Sequence, residues 1–178
     1  LDVCASFLSK MTGRPVKIVL SQEEVLTAQR RRHPMIVWLK TGVKKDGTLL
    51  AHDCRVIADG GAATAIGPTT IANAFYFLNL PYVVPNVRFE GIRAYTNRPI
   101  SVAQRGNGIQ QIRYAADVQL EMIAEELGID PVEIRRKNAA YSGYVTPNGM
   151  KVRSCGLQES IVQALKAANW GKEFRPWV

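Results

Sequence analysis

A chain of 178 residues with 47% hydrophobic and 21% charged residues has the make-up of a globular domain, and its length lets it bury roughly 70% of its unfolded surface. No apolar run approaches the ~20 residues a membrane-spanning helix requires, and no secretory leader is seen. The sparse cysteines, Cys4, Cys54 and Cys155, supply neither a CxxC metal loop nor a disulfide framework, which makes a reducing, cytoplasmic compartment the expectation.

The first residues, Leu1-Asp2-Val3, read as the interior of a helix with no initiator Met, so a piece of a longer protein is expected. Val3, Phe7, Leu8 and Met11 fall at helical spacing, and Gly13 followed by Pro15 stops that helix. Residues 16–20 read as a short strand. Ser21 and Glu24 form a capping box, predicting a helix from Gln22 that runs into Arg30-Arg31-Arg32-His33 and ends at Pro34. Residues 35–45 and 49–58 are predicted to pair as a hairpin across Asp46-Gly47. A flexible Asp59-Gly60-Gly61 loop follows, then a short helix over 68–78 and a strand system over 82–95 broken by Pro85-Asn86. Residues 97–108 are a loop by composition. Ile112, Ala116, Leu120, Ile123 and Leu127 share one face of the longest predicted helix, 109–127. Asp130 and Glu133 cap another, with Pro131 in its first turn. A polar loop leads to a last amphipathic helix over 157–168. Hairpins rather than regular βαβ units predict an α+β fold of antiparallel hairpins with packed helices. Residues 1–98 form its strand-rich part and 99–178 its mainly helical part.

Net charge of +8 raises the question of nucleic acid. The excess is local, and the run Arg30-Arg31-Arg32 reads as a solvated helix end. No aromatic residues interleave with it as stacking platforms, so no nucleic-acid partner is expected. His33 and His52 lack metal-ligand spacing. His33 reads as structural. His52 and Asp53 are strand neighbours whose side chains point to opposite faces, which rules out a dyad. Gln104-Arg105-Gly106-Asn107-Gly108 fails the dinucleotide fingerprint because Gln111 stands where a third Gly is required. Placed just before a helix start, the same loop offers a guanidinium and free backbone N–H groups, which suit an anionic or oxygen-rich ligand. A plain loop-to-helix turn with a solvated Arg is the equal alternative on spacing alone.

Several strings in order resemble one family. They are Thr12-Gly13-Arg14-Pro15-Val16-Lys17, Leu20-Ser21-Gln22-Glu23-Glu24, Arg32-His33-Pro34, Lys40-Thr41-Gly42, Asp46-Gly47, Pro85-Asn86-Val87, Tyr95-Thr96-Asn97, Gly128-Ile129-Asp130-Pro131 and Arg135-Arg136-Lys137-Asn138. Together they are similar to the molybdenum hydroxylase family of xanthine dehydrogenase and aldehyde oxidase. Nearly the whole chain is covered. The resemblance implies part of a larger molybdenum-cofactor-binding domain in a catalytic subunit several times longer. That subunit would hydroxylate or dehydroxylate an aromatic or N-heterocyclic substrate with water as the oxygen source. It implies a molybdenum–molybdopterin cofactor shared with segments outside this chain. Electrons would leave through iron–sulfur clusters, and in some members FAD, on other subunits or domains. The expected partners are therefore the rest of the molybdenum subunit, an iron–sulfur subunit, a flavin subunit and a small-molecule substrate, with no membrane.

On the residues, the resemblance assigns Gln104, Arg105 and Gly106 to the cofactor. Asn107 stands where many members have a stacking Phe, and Asn73 about where purine-type members have an Arg, so both are expected to face substrate. Losing aromatic and cation argues against a purine. Arg-Gly-Asn-Gly, with Val145-Thr146-Pro147-Asn148-Gly149 and Ser154-Cys155-Gly156-Leu157, looks closest to the 4-hydroxybenzoyl-CoA reductase branch. No Cys follows Arg105 as in the carbon monoxide dehydrogenase branch. The catalytic glutamate of the family matches no residue here, so no catalytic residue is expected. The alternative reading is that the chain alone is a catalytically inert structural or interaction unit of that subunit, unable to bind cofactor by itself.

Overall fold

A computed structural model describes residues 1–170, so the end of the expected helical part, residues 171–178, lies outside the described residues. The chain opens with helix α1 (Asp2–Thr12), closed by Gly13 in the left-handed conformation, and helix α2 (Gln22–Ala28). The Ser21–Glu24 capping box forms in full: the Glu24 N–H donates to Ser21 Oγ and the Ser21 N–H to the Glu24 carboxylate. Neither helix has a buried residue. Residues 16–20 keep an alternating burial but form no strand. Among the described residues no strand pairs with their backbone, and alternation alone does not make a ladder. The second helix stops at Ala28, short of the expected end at Pro34. Residue 31 instead joins Ser101 in a parallel bridge, with Arg31 N–H donating to Ile100 O and Val102 N–H to Arg31 O.

The expected hairpin is present: strand β1 (Met35–Val43) pairs antiparallel with strand β2 (Leu49–Asp59). Helix α3 (Gly67–Phe77) follows, and strand β3 (Asn86–Ala94) returns alongside β2. Here the structure corrects the hairpin-only reading, because β3 runs parallel to β2. The three strands lie in the order β1-β2-β3, so β2-α3-β3 is a βαβ crossover. Residue alternation in β3 marks its two faces but carries no direction, so only the interposed helix reveals the crossover. Helix α4 (Ile109–Leu127), helix α5 (Pro131–Asn138) and helix α6 (Leu157–Ala167) complete the order. The fold is mixed α+β, with α3 and α4 on one face of a three-stranded sheet.

The core has two clusters. Cys54, Val56, Ala74, Leu78, Ile112 and Ala116 join the sheet to α3 and α4. Leu49, Tyr82, Val84, Leu120, Ala124 and Ile134 join the hairpin end to α4 and α5. Each large apolar side chain buried there contributes roughly 1.5–3 kcal/mol. Both clusters draw on residues before and after position 98, so the strand-rich and helical stretches share their cores. The predicted stripe of α4 supplies Ile112, Ala116 and Leu120 to these clusters, and that packing fixes where the N-terminus of α4 lies.

Candidate cofactor-binding loop

Residues 104–108 lead directly into α4, whose N-cap is Gly108 with no side-chain cap. Gln104 and Arg105 are exposed, while Gly106 and Asn107 are partly buried and Gly108 is buried. The Gly106 carbonyl accepts from Ile109 N–H and Gln110 N–H, turning the chain into the helix. Among the described residues, no backbone N–H of residues 103–108 donates to a protein acceptor. No carboxylate of the described residues lies within ion-pair distance of the Arg105 guanidinium. Free donors, an unpaired cation and a helix N-terminus are together the chemistry that suits an anionic, oxygen-rich group.

The loop is held from two sides. Toward α3, the approach is so close that a Cβ on Gly108 would overlap the Thr70 carbonyl oxygen, and its φ is +79°. Thr70 donates its hydroxyl proton to Asn107 Oδ1 at 2.5 Å, and Asn73 Nδ2 donates to the Asn107 carbonyl at 3.1 Å. The two asparagines singled out in the sequence are thus neighbours, but the contacts they make are with each other and with α3. Toward β1, Arg32 donates through one guanidinium nitrogen to Gln110 Oε1 and through the other to the Arg105 carbonyl at 3.1 Å.

The run Arg30-Arg31-Arg32 is therefore not a solvated helix end: it lies beyond α2, and only Arg30 of the three is exposed. Arg31 pairs with Asp59 at 2.7 Å, Arg32 holds the loop, and His33 is 1% exposed. Arg93 Nε donates to His33 Nε2 at 3.2 Å, which places the ring proton on Nδ1, and Gln111 Nε2 donates to the His33 carbonyl at 3.0 Å. Burial and then the Arg93 charge lower the His33 pKa, so the ring is a neutral structural acceptor, as its position before Pro34 suggested. Burial alone would raise the Asp59 pKa. Hydrogen bonds from Thr96 and the Gly61 N–H, with the charges of Arg31 and Arg98, outweigh it and hold the carboxylate ionised. Asp59 thereby ties together the end of β2, residue 31 and the stretch leading to the loop.

His52 and Asp53 do face apart, with His52 buried and Asp53 exposed. Thr41 gives its hydroxyl proton to Gln119 Oε1, so His52 Nδ1–H donates to Thr41 Oγ1 at 2.9 Å. Burial, with Arg113 second, pushes the His52 pKa down to about 4. Cys54 is buried and its thiol is pushed up to about 12, so it is an inert core residue. No group of three or more metal-ligating side chains exists among the described residues, and no described helix is long and apolar enough to cross a membrane.

A groove of about 660 Å³ runs between β1 and α4, lined by Met35, Val37, Leu39, Tyr114, Val118 and Met122, with Gln110 and Gln111 at its loop end. Gln104, Arg105 and Asn107 do not line it. Sequence reasoning located the loop but missed Arg32, Thr70 and Gln110, which hold it. Thr70 and Gln110 carry no local signal, since their roles arise from packing between distant segments.

The loop therefore presents free backbone donors and an unpaired guanidinium at the N-terminus of α4, on an α+β scaffold. Residues 1–139 match the model of the molybdopterin cofactor-binding domain, and the chain belongs to that family. The chain is 41% identical over 134 residues to a probable xanthine dehydrogenase subunit of Bacillus subtilis, covering 75% of this chain and 18% of that protein. It is 40% identical over 166 residues to the nicotinate dehydrogenase large molybdopterin subunit of Eubacterium barkeri, covering 93% and 39%. Among solved structures, aldehyde oxidoreductase from Desulfovibrio gigas superposes with a TM-score of 0.80 at 32% identity, over 90% of this chain and 18% of that one. Quinoline 2-oxidoreductase from Pseudomonas putida 86 gives 0.80 at 26% identity, over 94% and 22%. The chain thus spans 18% to 39% of the length of these two curated relatives.

Proposed function

We propose that this chain is a segment of the catalytic subunit of a molybdenum hydroxylase and forms one wall of its cofactor site. The carrying observation is the 104–108 loop, with unpaired backbone donors at a helix N-terminus and a guanidinium without a carboxylate partner. These residues fit a molybdenum–molybdopterin group: its anionic, oxygen-rich periphery matches the donors, and the backbone of Gln104, Arg105 and Gly106 would hold it. When bound, the cofactor supplies the redox chemistry; this chain binds and orients it. Segments outside the chain complete the site and bring the catalytic base.

The reaction in this reading hydroxylates or dehydroxylates an aromatic or N-heterocyclic substrate, with water as the oxygen source. Asn107 and Asn73 border the substrate side. Names of relatives point to both xanthine and nicotinate. The polar pair at 73 and 107 favours a non-purine ring, in the manner of the 4-hydroxybenzoyl-CoA reductase branch, because it offers neither an aromatic face nor a cation. Electrons pass to an iron–sulfur subunit and a flavin partner in the cytoplasm. Residues 1–178 are then a partial cofactor domain, and the isolated chain is catalytically inert.

Arg105→Ala in the full-length subunit tests the site. The expected result is a loss of most molybdenum and pterin per subunit, measured by metal analysis and pterin fluorescence. Full cofactor content in this variant would refute the assignment.

A further inference from the structure

We propose that Arg32 is a positioning residue that fixes the 104–108 loop in the shape its ligand requires; this rests on the reading of that loop as a cofactor contact. Arg32 lies in the 29–34 stretch, which runs beside the stretch before the loop and is stitched to it by Arg31 N–H to Ile100 O and Val102 N–H to Arg31 O. Its two terminal guanidinium nitrogens serve two acceptors on different structures. One is the Arg105 carbonyl in the loop, and the other is Gln110 Oε1 in the first turn of α4. The planar fork therefore locks the loop to the helix it feeds. Turning the Arg105 carbonyl toward Arg32 also fixes the orientation of the peptide plane that follows, whose N–H belongs to Gly106. Gly106 has φ +77° and Gly108 φ +79°, and Gln110 packs where a Gly106 Cβ would lie, 2.5 Å from the amide carbon. The loop has no regular backbone ladder of its own, so these side-chain contacts set its conformation. Adjacent Gln111 binds the His33 carbonyl, which keeps α4 and the 29–34 stretch in register. Lysine at 32 offers a single ammonium on a flexible stem and cannot span both acceptors in one plane.

The test uses the full-length subunit with Arg32→Ala, Arg32→Lys, Gln110→Ala and Arg105→Ala. Trypsin cleavage after Arg105 and amide exchange at Val102, Ile109 and Gln110 report the loop; melting temperature reports the fold; molybdenum and pterin content report the ligand. Arg32→Ala is expected to speed cleavage and exchange by about tenfold, consistent with losing charged hydrogen bonds. It should also lower cofactor content while the hairpin amides stay protected. Arg32→Lys should recover part of both, and Gln110→Ala should loosen the same amides. Unchanged cleavage and exchange in Arg32→Ala and Gln110→Ala would overturn the positioning role, whatever Arg105→Ala does. A loosened loop with full cofactor in Arg32→Ala would also overturn it, provided Arg105→Ala loses cofactor. Full cofactor in Arg105→Ala would instead sink the reading of the loop itself. If Arg32→Ala fails to fold, Gln110→Ala and Arg32→Lys carry the same test.

Discussion

Gly108 shows how a single residue decides where the loop sits. A methyl group there meets the Thr70 carbonyl, and the left-handed backbone disfavours any side chain. Gly108→Ala is expected to destabilise the fold by about 2–4 kcal/mol in denaturant unfolding. A change below about 0.5 kcal/mol would show that α3 and α4 separate freely. His52 gives a second residue-scale prediction. Its ring ionises near 6.5 in the unfolded chain but only near 4 when folded, because the charged form is disfavoured by burial. Its contribution is complete above pH 6.5 and falls as pH drops toward 4. The slope is up to about 1.4 kcal/mol per pH unit. His52→Asn should flatten this dependence in unfolding measured across that range, leaving the share of His33, whose pKa is lowered in the same direction. An unaltered slope would remove His52 from the account. The sequence exposed Arg105, Gly106 and Gly108 as unusual because composition and helix onset are local properties. It hid Arg32 because an arginine in a basic run looks the same whether it is solvated or clamps a loop from a distant segment.

At the scale of elements, α5 is the clearest case of a helix that matters through its ends. Asp130 caps it, accepting from Val132 N–H at 2.7 Å and Glu133 N–H at 3.2 Å, but the reciprocal half of the expected capping box does not form, because the Glu133 carboxylate pairs with Arg136 at 2.7 Å. Its other end presents buried Asn138 to the hairpin turn. The side chain accepts from Leu49 N–H at 2.9 Å and donates to Gly47 O and Ile134 O, both at 2.8 Å. Asn138→Ala leaves the Leu49 N–H and Gly47 carbonyl without partners. It should cost about 2–4 kcal/mol, read by thermal or chemical unfolding, whereas a loss under about 1 kcal/mol would mean water substitutes for the amide. Helices α4, α5 and α6 and the hairpin were legible because their periodicity and caps are local. The direction of β3 and the failure of residues 16–20 to form a strand were not, because both depend on which neighbour is available.

Across the whole molecule, the body is built around the sheet, α3, α4 and α5, while the first two helices bury nothing among the described residues. The parallel pairing of β2 and β3 has a consequence for how the chain folds. The β1–β2 hairpin can zip outward from Asp46-Gly47, each rung closing only a slightly longer loop than the last. The β2–β3 ladder has no such starting point: every rung joins residues equally far apart in sequence. Its first rung bears the whole closure entropy, a cost that docking of α3 against the sheet would offset. Substitutions that weaken the 45–48 turn should therefore slow refolding, while truncations in β3 such as Phe89→Ala should mainly speed unfolding in stopped-flow chevrons. The reverse pattern would mean that the crossover, and not the hairpin, is the nucleus.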